Sequence, residues 1–229
     1  MIFLYRFLTF VLFPIFLITI YLRRFINKED KIRFKEKILI NENDFPKNKK
    51  VFWIHAASIG ETNSVLPLIN KIIKNDNKIF ILLTTTTLSS SQIINKIGID
   101  QNNFQHRFFS LDVQFLVKKF LNHWKPETII FVDSEVWPNY LLEISQRKIP
   151  LILLNGRITM KSFKRWKMFP NLSKKIFELY DLCLASSSES ERNLKSLGAK
   201  KVKYIGNIKF CGSTTHNNDK YELKSIFNN

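Results

Sequence analysis

Apolar runs alternate with amphipathic stretches from Val51 onward, and this alternation predicts a sheet flanked by helices. Continuous apolar runs bounded by turn residues are typical of strands that are buried on both faces. The predicted strands are residues 51–57, 78–85, 106–112, 127–133, 149–155, 181–187 and 202–206. Because helical patterns separate the strands, we predict an α/β fold, a Rossmann-like doubly wound parallel sheet over residues 51–210.

Helices are predicted between successive strands from the spacing of apolar residues. The clearest stripe follows the first strand, where apolar residues recur at helical spacing from Val65 to Ile73. Further helices are predicted over residues 91–97, 115–123, 138–146 and 188–198. The glycine pattern G-x-G-x-x-G is absent from the chain, so the sequence gives no support for a dinucleotide site.

Residues 1–22 form an apolar stretch that predicts a single membrane helix. Between Arg6 and Arg23 the stretch holds no charged side chain, and its length approaches the roughly 20 apolar residues that span a bilayer. Cations crowd the predicted juxtamembrane segment 23–50, which favours a single-pass protein of the inner membrane with its folded domain in the cytoplasm. Because Pro14 interrupts the run, a helix lying in the membrane surface remains an alternative.

The formal net charge of +17 indicates an anionic partner. Anionic lipid and a phosphorylated substrate both fit, whereas nucleic acid is disfavoured because no arginine-rich block or aromatic RNA-binding signature appears. The two cysteines, Cys183 and Cys211, form no C-x-x-C pair, and the four histidines lack the spacing of metal ligands. We therefore predict no structural disulfide, no metal and a reducing compartment.

Candidate chemistry gathers where the predicted strands end, because ligands of such sheets bind beyond the carboxyl ends of the strands. Two acids, an arginine and a lysine follow different strands and are expected to converge there. The residues at these positions are His55, Ser58, Gly60, Glu61, Asp133, Ser134, Glu135, Trp137, Asn139, Asn155, Gly156, Arg157, Gly206, Asn207 and Lys209. For each residue alone a structural role is the commoner one, and the convergence favours function.

Two interpretations of Glu61 remain open at this point. As an acid in the first turn of a helix, Glu61 would complement the helix dipole, which contributes about 0.3–1 kcal/mol. As a carboxylate at the mouth of an α/β sheet, it would instead serve as a general base. The sequence around Glu61 does not choose between them.

Four ordered segments together resemble the 3-deoxy-D-manno-octulosonic acid (Kdo) transferase family of lipid A biosynthesis. The segments are WIHAASIGE, DSEVWPN, NGRITMKSF and GNIKF, preceded by the basic stretch RFKEKI and the apolar N-terminus. The family patterns are W-x-H-x-x-S-x-G-E, E-T-E-L-W-P-N, N-A-R-[LI]-S-x-x-S and G-N-[LI]-K-F. Departures are Asp133 and Ser134 in place of Glu and Thr, Gly156 in place of Ala, and Lys37 in place of Arg.

The resemblance implies a metal-independent glycosyltransferase of the GT-B type that needs no cofactor. It implies transfer of Kdo from the donor CMP-Kdo to a lipid A precursor, with Glu61 as the general base. Glu135 and Lys209 are expected to stabilise charge during the reaction, and Ser58, Gly60, Asn155 and Arg157 to bind substrate. Arg157 and the basic segment suit the phosphates of the acceptor.

Members of this family are longer and carry a second domain that binds CMP. The resemblance implies that residues 211–229 begin that donor-binding domain, and a separate chain is one source from which the domain could come. The leading hypothesis is an acceptor-binding half of a Kdo transferase. The alternative is a catalytically inactive remnant or a module that binds lipid or a partner, and a soluble nucleic-acid binder ranks third.

Overall fold

The computed structural model describes residues 1–39, 46, 48–96 and 102–210. The strands are β1 (Lys50–His55), β2 (Ile79–Thr85), β3 (Phe104–Phe108), β4 (Thr128–Val132), β5 (Leu151–Gly156), β6 (Leu182–Ala185) and β7 (Val202–Tyr204). The helices are α1 (Ile2–Val11), α2 (Phe13–Phe25), α3 (Ile59–Asn75), α4 (Leu88–Lys96), α5 (Gln114–Trp124), α6 (Pro138–Gln146), α7 (Met160–Lys167), α8 (Pro170–Phe177) and α9 (Ser188–Leu197). Short 3₁₀ helices cover Arg33–Lys37 and Ile208–Phe210.

The strands form one sheet in the order β3-β2-β1-β4-β5-β6-β7. Every neighbouring pair is parallel, so the predicted Rossmann-like doubly wound sheet is confirmed. The chain first builds outward from β1 to β3 and then returns to place β4 on the other side of β1. The direction of winding therefore reverses between β1 and β4, and ligands of open α/β sheets bind at such a reversal.

Two apolar layers cover the two faces of the sheet. One layer is centred on Trp53, whose ring packs against Phe120, Phe131 and Tyr140 from α5, β4 and α6. The other layer joins Ile54 and other strand residues to the buried face of α3. Side chains alternate between faces along a strand, so a strand covered on both faces reads as a continuous apolar run.

Several element bounds differ from the predicted ones. Strand β3 ends at Phe108 instead of residue 112, because Asp112 has left the sheet and its carboxylate accepts the N–H groups of Asn139 and Tyr140 at the start of α6. Helix α4 begins before Ser91, since the Thr87 hydroxyl accepts the N–H of Ser90 in its first turn. The predicted end at Ile97 and the segment 211–229 lie outside the described residues.

Helices α7 and α8 were not predicted. Each helix has only eight residues, and Pro170 begins the second one. A longer apolar pattern would have been needed to predict either helix from the sequence. Half-buried aromatic side chains hold α7 to the fold, since Trp166 packs edge-on against Phe177 of α8 at 5.2 Å between ring centroids. The apolar pattern of α7 and that of α8 each cover too few residues to distinguish a helix from a loop.

The structure divides the stretch that was predicted as one membrane helix into two helices, α1 and α2. The two helices meet at Leu12 with a bend of 52°. Pro14 lies in the first turn of α2, where its missing N–H leaves no hydrogen bond unmade. Among the described residues no single helix is long and apolar enough to cross a membrane, while the bent pair α1 and α2 meets that test jointly.

Helix α1 is attached to the domain by its few polar side chains. The Tyr5 hydroxyl donates to Oδ2 of Asp112 at 2.7 Å, and Arg6 pairs with Glu143 of α6 at 3.3 Å. Thr9 is buried and accepts from the amide of Asn139. These partners lie at the start of α5 or in α6, so the polar side of α1 faces the domain.

Acidic neighbours neutralise several cations of the segment that follows α2. Arg23 and Lys37 both pair with buried Glu29, and Arg33 pairs with Glu36. Glu36 also accepts the N–H of Phe108, which ties the segment to β3. Part of the basicity that the sequence suggested for lipid phosphates is therefore engaged within the fold.

A matched pair of glycine substitutions tests the packing at the end of α9. Gly198 has φ +112°, and a Cβ there would lie 2.7 Å from the Lys174 backbone. We expect Gly198→Ala to lower the free energy of unfolding by at least about 1–2 kcal/mol, the cost of a left-handed non-glycine residue. Gly60→Ala is the control, because a Cβ there meets no atom within 4 Å.

Urea unfolding in a fixed detergent buffer measures both variants. We expect the urea midpoint of Gly60→Ala to equal or exceed that of the parent. The midpoint of Gly198→Ala should be lower than that of the parent. Equal losses in the two variants would contradict the described C-terminal cap of α9.

Candidate active site

The loop between β1 and α3 holds Glu61 in place with hydrogen bonds to both carboxylate oxygens. Ser58 is the N-cap of α3, and its hydroxyl donates to Oε1 of Glu61 at 2.7 Å. The N–H of Ala57 donates to Oε2 at 2.8 Å. The arrangement resembles a capping box: the Ser58 hydroxyl accepts the N–H of Glu61, while the Glu61 carboxylate accepts the N–H of Ala57, one residue before the cap. The structural interpretation of Glu61 is thus correct, and it leaves the general-base interpretation open.

The pKa of Glu61 is raised above its ordinary value of 4.5. Burial is the main cause, and the negative charges of Glu135 and Asp133 act in the same direction. The hydrogen bonds from Ser58 and Ala57 oppose the shift because they stabilise the ionised form. A carboxylate with a raised pKa binds a proton more readily, which is the property that a general base requires.

Glu135 is held opposite this loop, just beyond β4. Its Oε2 accepts from the ring N–H of Trp137 and lies 3.2 Å from Nε2 of His55. The hydroxyl of Tyr180 donates to the backbone oxygen of Glu135 at 2.6 Å. Both the side chain and the backbone of Glu135 are therefore fixed before any ligand binds.

His55 connects Glu135 to the interior of the sheet. The ring is fully buried and stacks on Phe109 at 3.9 Å between centroids, and its Nδ1 lies 3.0 Å from the Thr84 hydroxyl. Trp53 donates its ring N–H to the same hydroxyl at 2.8 Å. Nδ1 also lies 3.1 Å from the backbone oxygen of Thr84, so Thr84 contacts one ring nitrogen of His55 and Glu135 contacts the other.

Asp133 and Asn155 occupy left-handed backbone conformations at the ends of adjacent strands, with φ of 68° and 58°. Such conformations cost non-glycine residues about 1–3 kcal/mol and are concentrated at functional sites. Asp133 receives a charged hydrogen bond from Nζ of Lys209. Asn155 is buried, and its side-chain oxygen accepts the N–H of Ile208 at 3.1 Å. Together they hold the segment that carries Lys209 against the carboxyl edge of the sheet.

The structure gathers most of the predicted residues at this edge but assigns them different exposures. Glu61, Asp133 and Asn155 are buried, whereas Gly60 and Arg157 are exposed. The backbone of Arg157 bonds to Asp133 and Ser134, which leaves its guanidinium at the rim. Asn155 acts as a support for the Lys209 segment, and no substrate contact is needed to explain its position.

Gly60 leaves open space over the first turn of α3. Neither its backbone conformation nor its packing requires glycine, since a Cβ there would meet nothing within 4 Å. Gly156, in contrast, is enclosed, and a Cβ would lie 3.0 Å from Leu153. The alanine usual in the family at this position would need that leucine to move by a few tenths of an ångström.

Sequence reasoning missed the supporting role of β2. Thr84 lies at the end of that strand, where a run of threonines continues to Thr87, and the strand-end rule applied to β2 would have found it. Across the described residues, no group of three or more His, Cys, Asp or Glu side chains is placed to hold a metal ion. Cys183 is a buried free thiol, and burial raises its pKa to about 12.

A family profile described as "3-Deoxy-D-manno-octulosonic-acid transferase (kdotransferase)" matches residues 32–211. The chain belongs to the Kdo transferase family. A 3-deoxy-D-manno-octulosonic acid transferase of Rickettsia bellii is 34% identical over 212 residues, which cover 91% of this chain and 49% of that protein. A probable mitochondrial Kdo transferase of Arabidopsis thaliana is 37% identical over 164 residues, or 71% of this chain and 36% of the relative. The chain thus spans about half of such Kdo transferases or less.

Solved structures support the fold alone. A UDP-N-acetylglucosamine 2-epimerase superposes with a TM-score of 0.52 at 15% identity, covering 78% of this chain and 55% of that one. A putative epimerase of the same name from Listeria monocytogenes also gives 0.52, at 13% identity, over 79% of this chain and 52% of its own length. The identities are too low to carry over a function, so the fold likeness adds no substrate to the family assignment.

Ser58→Ala tests the electrostatics of Glu61 without an activity assay. Removing the hydroxyl takes away a donor to the carboxylate, so we expect the Glu61 pKa to rise further. Carbon-13 NMR titration of the glutamate carboxyl groups measures it. The lost N-cap should also lower the free energy of unfolding by about 1 kcal/mol.

Ser58→Thr is the control, because it keeps the hydroxyl. The pKa of Glu61 is higher in the folded state than in the unfolded state, so the contribution of Glu61 to stability falls as pH rises from the unfolded pKa to the folded pKa. Ser58→Ala should extend this pH range upward, because it raises the folded-state pKa further. An unchanged or lower Glu61 pKa in Ser58→Ala would contradict the assigned hydrogen bond.

Proposed function

We propose that this chain is the acceptor-binding half of a metal-independent GT-B transferase that moves Kdo from CMP-Kdo to a lipid A precursor. The observation that carries the proposal is Glu61, a buried carboxylate with a raised pKa at the reversal point of the sheet. Its neighbours Glu135 and Asp133 are close enough to influence that pKa. Membership of the Kdo transferase family supplies the reaction class.

In this proposal Glu61 accepts the proton of the attacking acceptor hydroxyl. Each carboxylate oxygen has two lone pairs, and the bonds from Ser58 and Ala57 use one on each oxygen. A free lone pair therefore remains to receive the proton. The same two bonds fix the direction of the carboxylate, which favours proton transfer from one position of the acceptor.

The bond changes balance as a substitution at the anomeric carbon of Kdo. The acceptor oxygen forms a bond to that carbon as the bond to the CMP phosphate breaks, and CMP leaves with the electron pair. Positive charge develops on the sugar in the transition state, as in other glycosyl chemistry. Glu135, fixed by His55 and Trp137, supplies a negative charge that stabilises it.

Lys209 supplies the positive charge on the donor side. Its side chain is 34% exposed although Nζ is bound to Asp133. It can therefore contact a second anion, such as the CMP phosphate or the sugar carboxylate, while Asp133 keeps it in position. A cation held in place before reaction stabilises a leaving phosphate without reorganisation.

The acceptor phosphates would meet Arg157 at the rim of the site. Its exposed guanidinium can bind a phosphate through two parallel hydrogen bonds. Lys28, Lys31 and Lys35, in the segment after α2, are exposed and offer further positive charge. Attachment of the chain to the inner membrane on its cytoplasmic side would bring this rim to a lipid substrate.

Glu61→Gln tests the general base. We expect transfer to fall by about 10²–10⁴-fold, the usual contribution of such a group, because the amide keeps the size of the side chain but cannot take a proton. The assay is transfer of radiolabelled Kdo to a lipid A precursor by the chain joined to the second half of a family member. Glu127→Gln, an exposed acid at the opposite edge, is the control.

A loss of less than about tenfold would show that Glu61 is not the base. The alternative from the sequence is a binding module without turnover. Such a module would bind the precursor equally as Glu61→Gln and as Glu127→Gln, and neither variant would transfer Kdo.

The proposal assigns acceptor binding and donor binding to two different domains, which gives a further test. A polypeptide of residues 1–229 should bind the lipid A precursor but transfer no measurable Kdo until a polypeptide with the CMP-binding domain is added. Without that domain the donor is not oriented, and orientation contributes roughly 7–11 kcal/mol to such reactions. Calorimetry with CMP and with the precursor measures binding separately from transfer, and robust transfer by residues 1–229 alone would overturn the two-domain reading.

A further inference from the structure

The basic stretch RFKEKI packs against the carboxyl end of β3, beside the candidate active site. Most of the stretch forms the 3₁₀ helix Arg33–Lys37. Within it, Glu36 accepts the N–H of Phe108 at 2.9 Å, and the backbone oxygen of Lys37 accepts the N–H of Leu111 at 3.0 Å. These bonds fix the stretch at the edge of the sheet, and the proposed reaction gives Lys37 no role.

Lys37 is a buried cation, with only 8% of its surface exposed. Its Nζ donates to Oε2 of Glu29 at 2.6 Å and to the backbone oxygen of Thr86 at 3.2 Å. A buried ammonium group is tolerated where its charge is paired, and the buried carboxylate of Glu29 supplies that partner. The second bond attaches Lys37 to the loop between β2 and α4.

Thr86 connects this loop to the neighbouring loop, which carries Glu61. The ladder between β1 and β2 continues past the strands, where Ala56 donates its N–H to the oxygen of Thr84 at 3.0 Å. One step further, the N–H of Thr86 lies at a long 3.4 Å from the oxygen of Ala57. The hydroxyl of Thr86 donates to the same oxygen at 2.7 Å. The side chain thus makes the short bond where the ladder opens.

Ala57 transmits this restraint to the candidate base. Its oxygen accepts from Thr86, and its N–H donates to Oε2 of Glu61 at 2.8 Å. Both groups belong to one residue, so a displacement of its backbone also moves the donor to the carboxylate. Four successive hydrogen bonds connect Glu29 to Glu61 through Lys37, Thr86 and Ala57.

We propose that Thr86 and Lys37 are positioning residues, which hold the carboxylate of Glu61 in its reactive orientation. Because Glu61 is the proposed general base, this inference rests on the proposed function. Lys37 fixes the loop after β2, and the Thr86 hydroxyl fixes Ala57 relative to that loop. Catalysis depends on such placement, since a displacement of about 1 Å can lower a rate on the order of 100-fold.

The surroundings of Lys37 favour this role over binding of a substrate phosphate. An ammonium group has three N–H donors, and Glu29 and Thr86 accept from Nζ. Nζ also lies 5.5 Å from the ring centroid of Phe108, within the range of a cation–π contact. Lys35 of the same stretch is exposed and remains available to an anion in solvent.

Thr86→Val tests the hydroxyl without changing any charge. Valine has a similar shape but cannot donate, so we expect Ala57 to shift and its bond to Glu61 to weaken. That bond lowers the pKa of Glu61, so the pKa should rise above the parent's. Carbon-13 NMR titration of the full chain measures it, with the Glu61 signal assigned from its absence in Glu61→Gln.

Two variants of the same loop serve as controls for Thr86→Val. Thr86→Ser keeps the hydroxyl and should keep the pKa of the parent. Thr87→Val makes the same substitution one residue later, where the hydroxyl contacts Ser90 in the first turn of α4. It should lower stability but leave the pKa of Glu61 unchanged.

The kinetic test uses Kdo transfer by the chain joined to the second half of a family member. Thr86→Val and Lys37→Met should each lower kcat by roughly 10–100-fold and change KM for the precursor by less than about twofold. Lys37→Arg should stay near the parent, because a guanidinium can donate to both Glu29 and Thr86. Arginine is also the residue usual in the family at this position.

A double variant separates lost positioning from lost stability. Lys37→Met leaves the buried charge of Glu29 without its buried partner, so its urea midpoint should fall. Lys37→Met combined with Glu29→Met removes both charges and should recover much of that midpoint, since Arg23, another partner of Glu29, is exposed. The low kcat should persist in the double variant.

A parental Glu61 pKa and kcat in Thr86→Val would overturn the proposal, as would equal changes in Thr87→Val. Recovery of kcat together with stability in the double variant would remove Lys37 from it. A higher KM for the precursor at unchanged kcat in Lys37→Met would instead make Lys37 a substrate ligand. If the parent transfers no Kdo, the proposed reaction fails, and the pKa comparison still decides whether Thr86 positions Glu61.

Discussion

The hydrogen bond between His55 and Glu135 connects the buried sheet to the carboxyl edge where the site lies. A fully buried imidazole must have both nitrogens satisfied, since an unpaired buried polar group costs about 1–3 kcal/mol. Thr84 satisfies one nitrogen and Glu135 the other. His55 therefore keeps both of its hydrogen bonds only while the loop after β4 stays in its present position. The packing of the core thus determines where Glu135 lies.

The acids at the edge depend on fixed positive charge and on hydrogen-bond donors from both the backbone and a side chain. Burial raises the pKa of Glu61, and the negative charges of Glu135 and Asp133 act in the same direction. Lys209 places a positive charge beside Asp133, while Ser58 and Ala57 donate hydrogen bonds to Glu61. The segment with Lys209 is in turn held by Asn155. Residues from four separate parts of the chain thus maintain one arrangement of charge.

Helix α1 shows how a few polar side chains change the role of an apolar segment. Tyr5, Arg6 and Thr9 bond to residues at the starts of α5 and α6 or within α6. Its axis is thereby fixed to the domain, next to the site, and its phenylalanines face outward. Composition predicted an anchor, but the three polar side chains determine which side of the helix is available to a membrane.

The sequence alone determined the sheet, its layers and the edge that carries the chemistry, because periodicity and strand ends are local properties. It also identified Glu61, Glu135 and Lys209 as residues that would meet, since parallel strands end together. It did not show that Asn155 is a support, that Thr84 belongs to the network, or that α7 and α8 form. Those features depend on contacts between residues far apart in the chain, such as Asn155 with Ile208 and His55 with Glu135. Only the tertiary structure decides them, because burial and hydrogen-bond satisfaction are fixed when the elements pack.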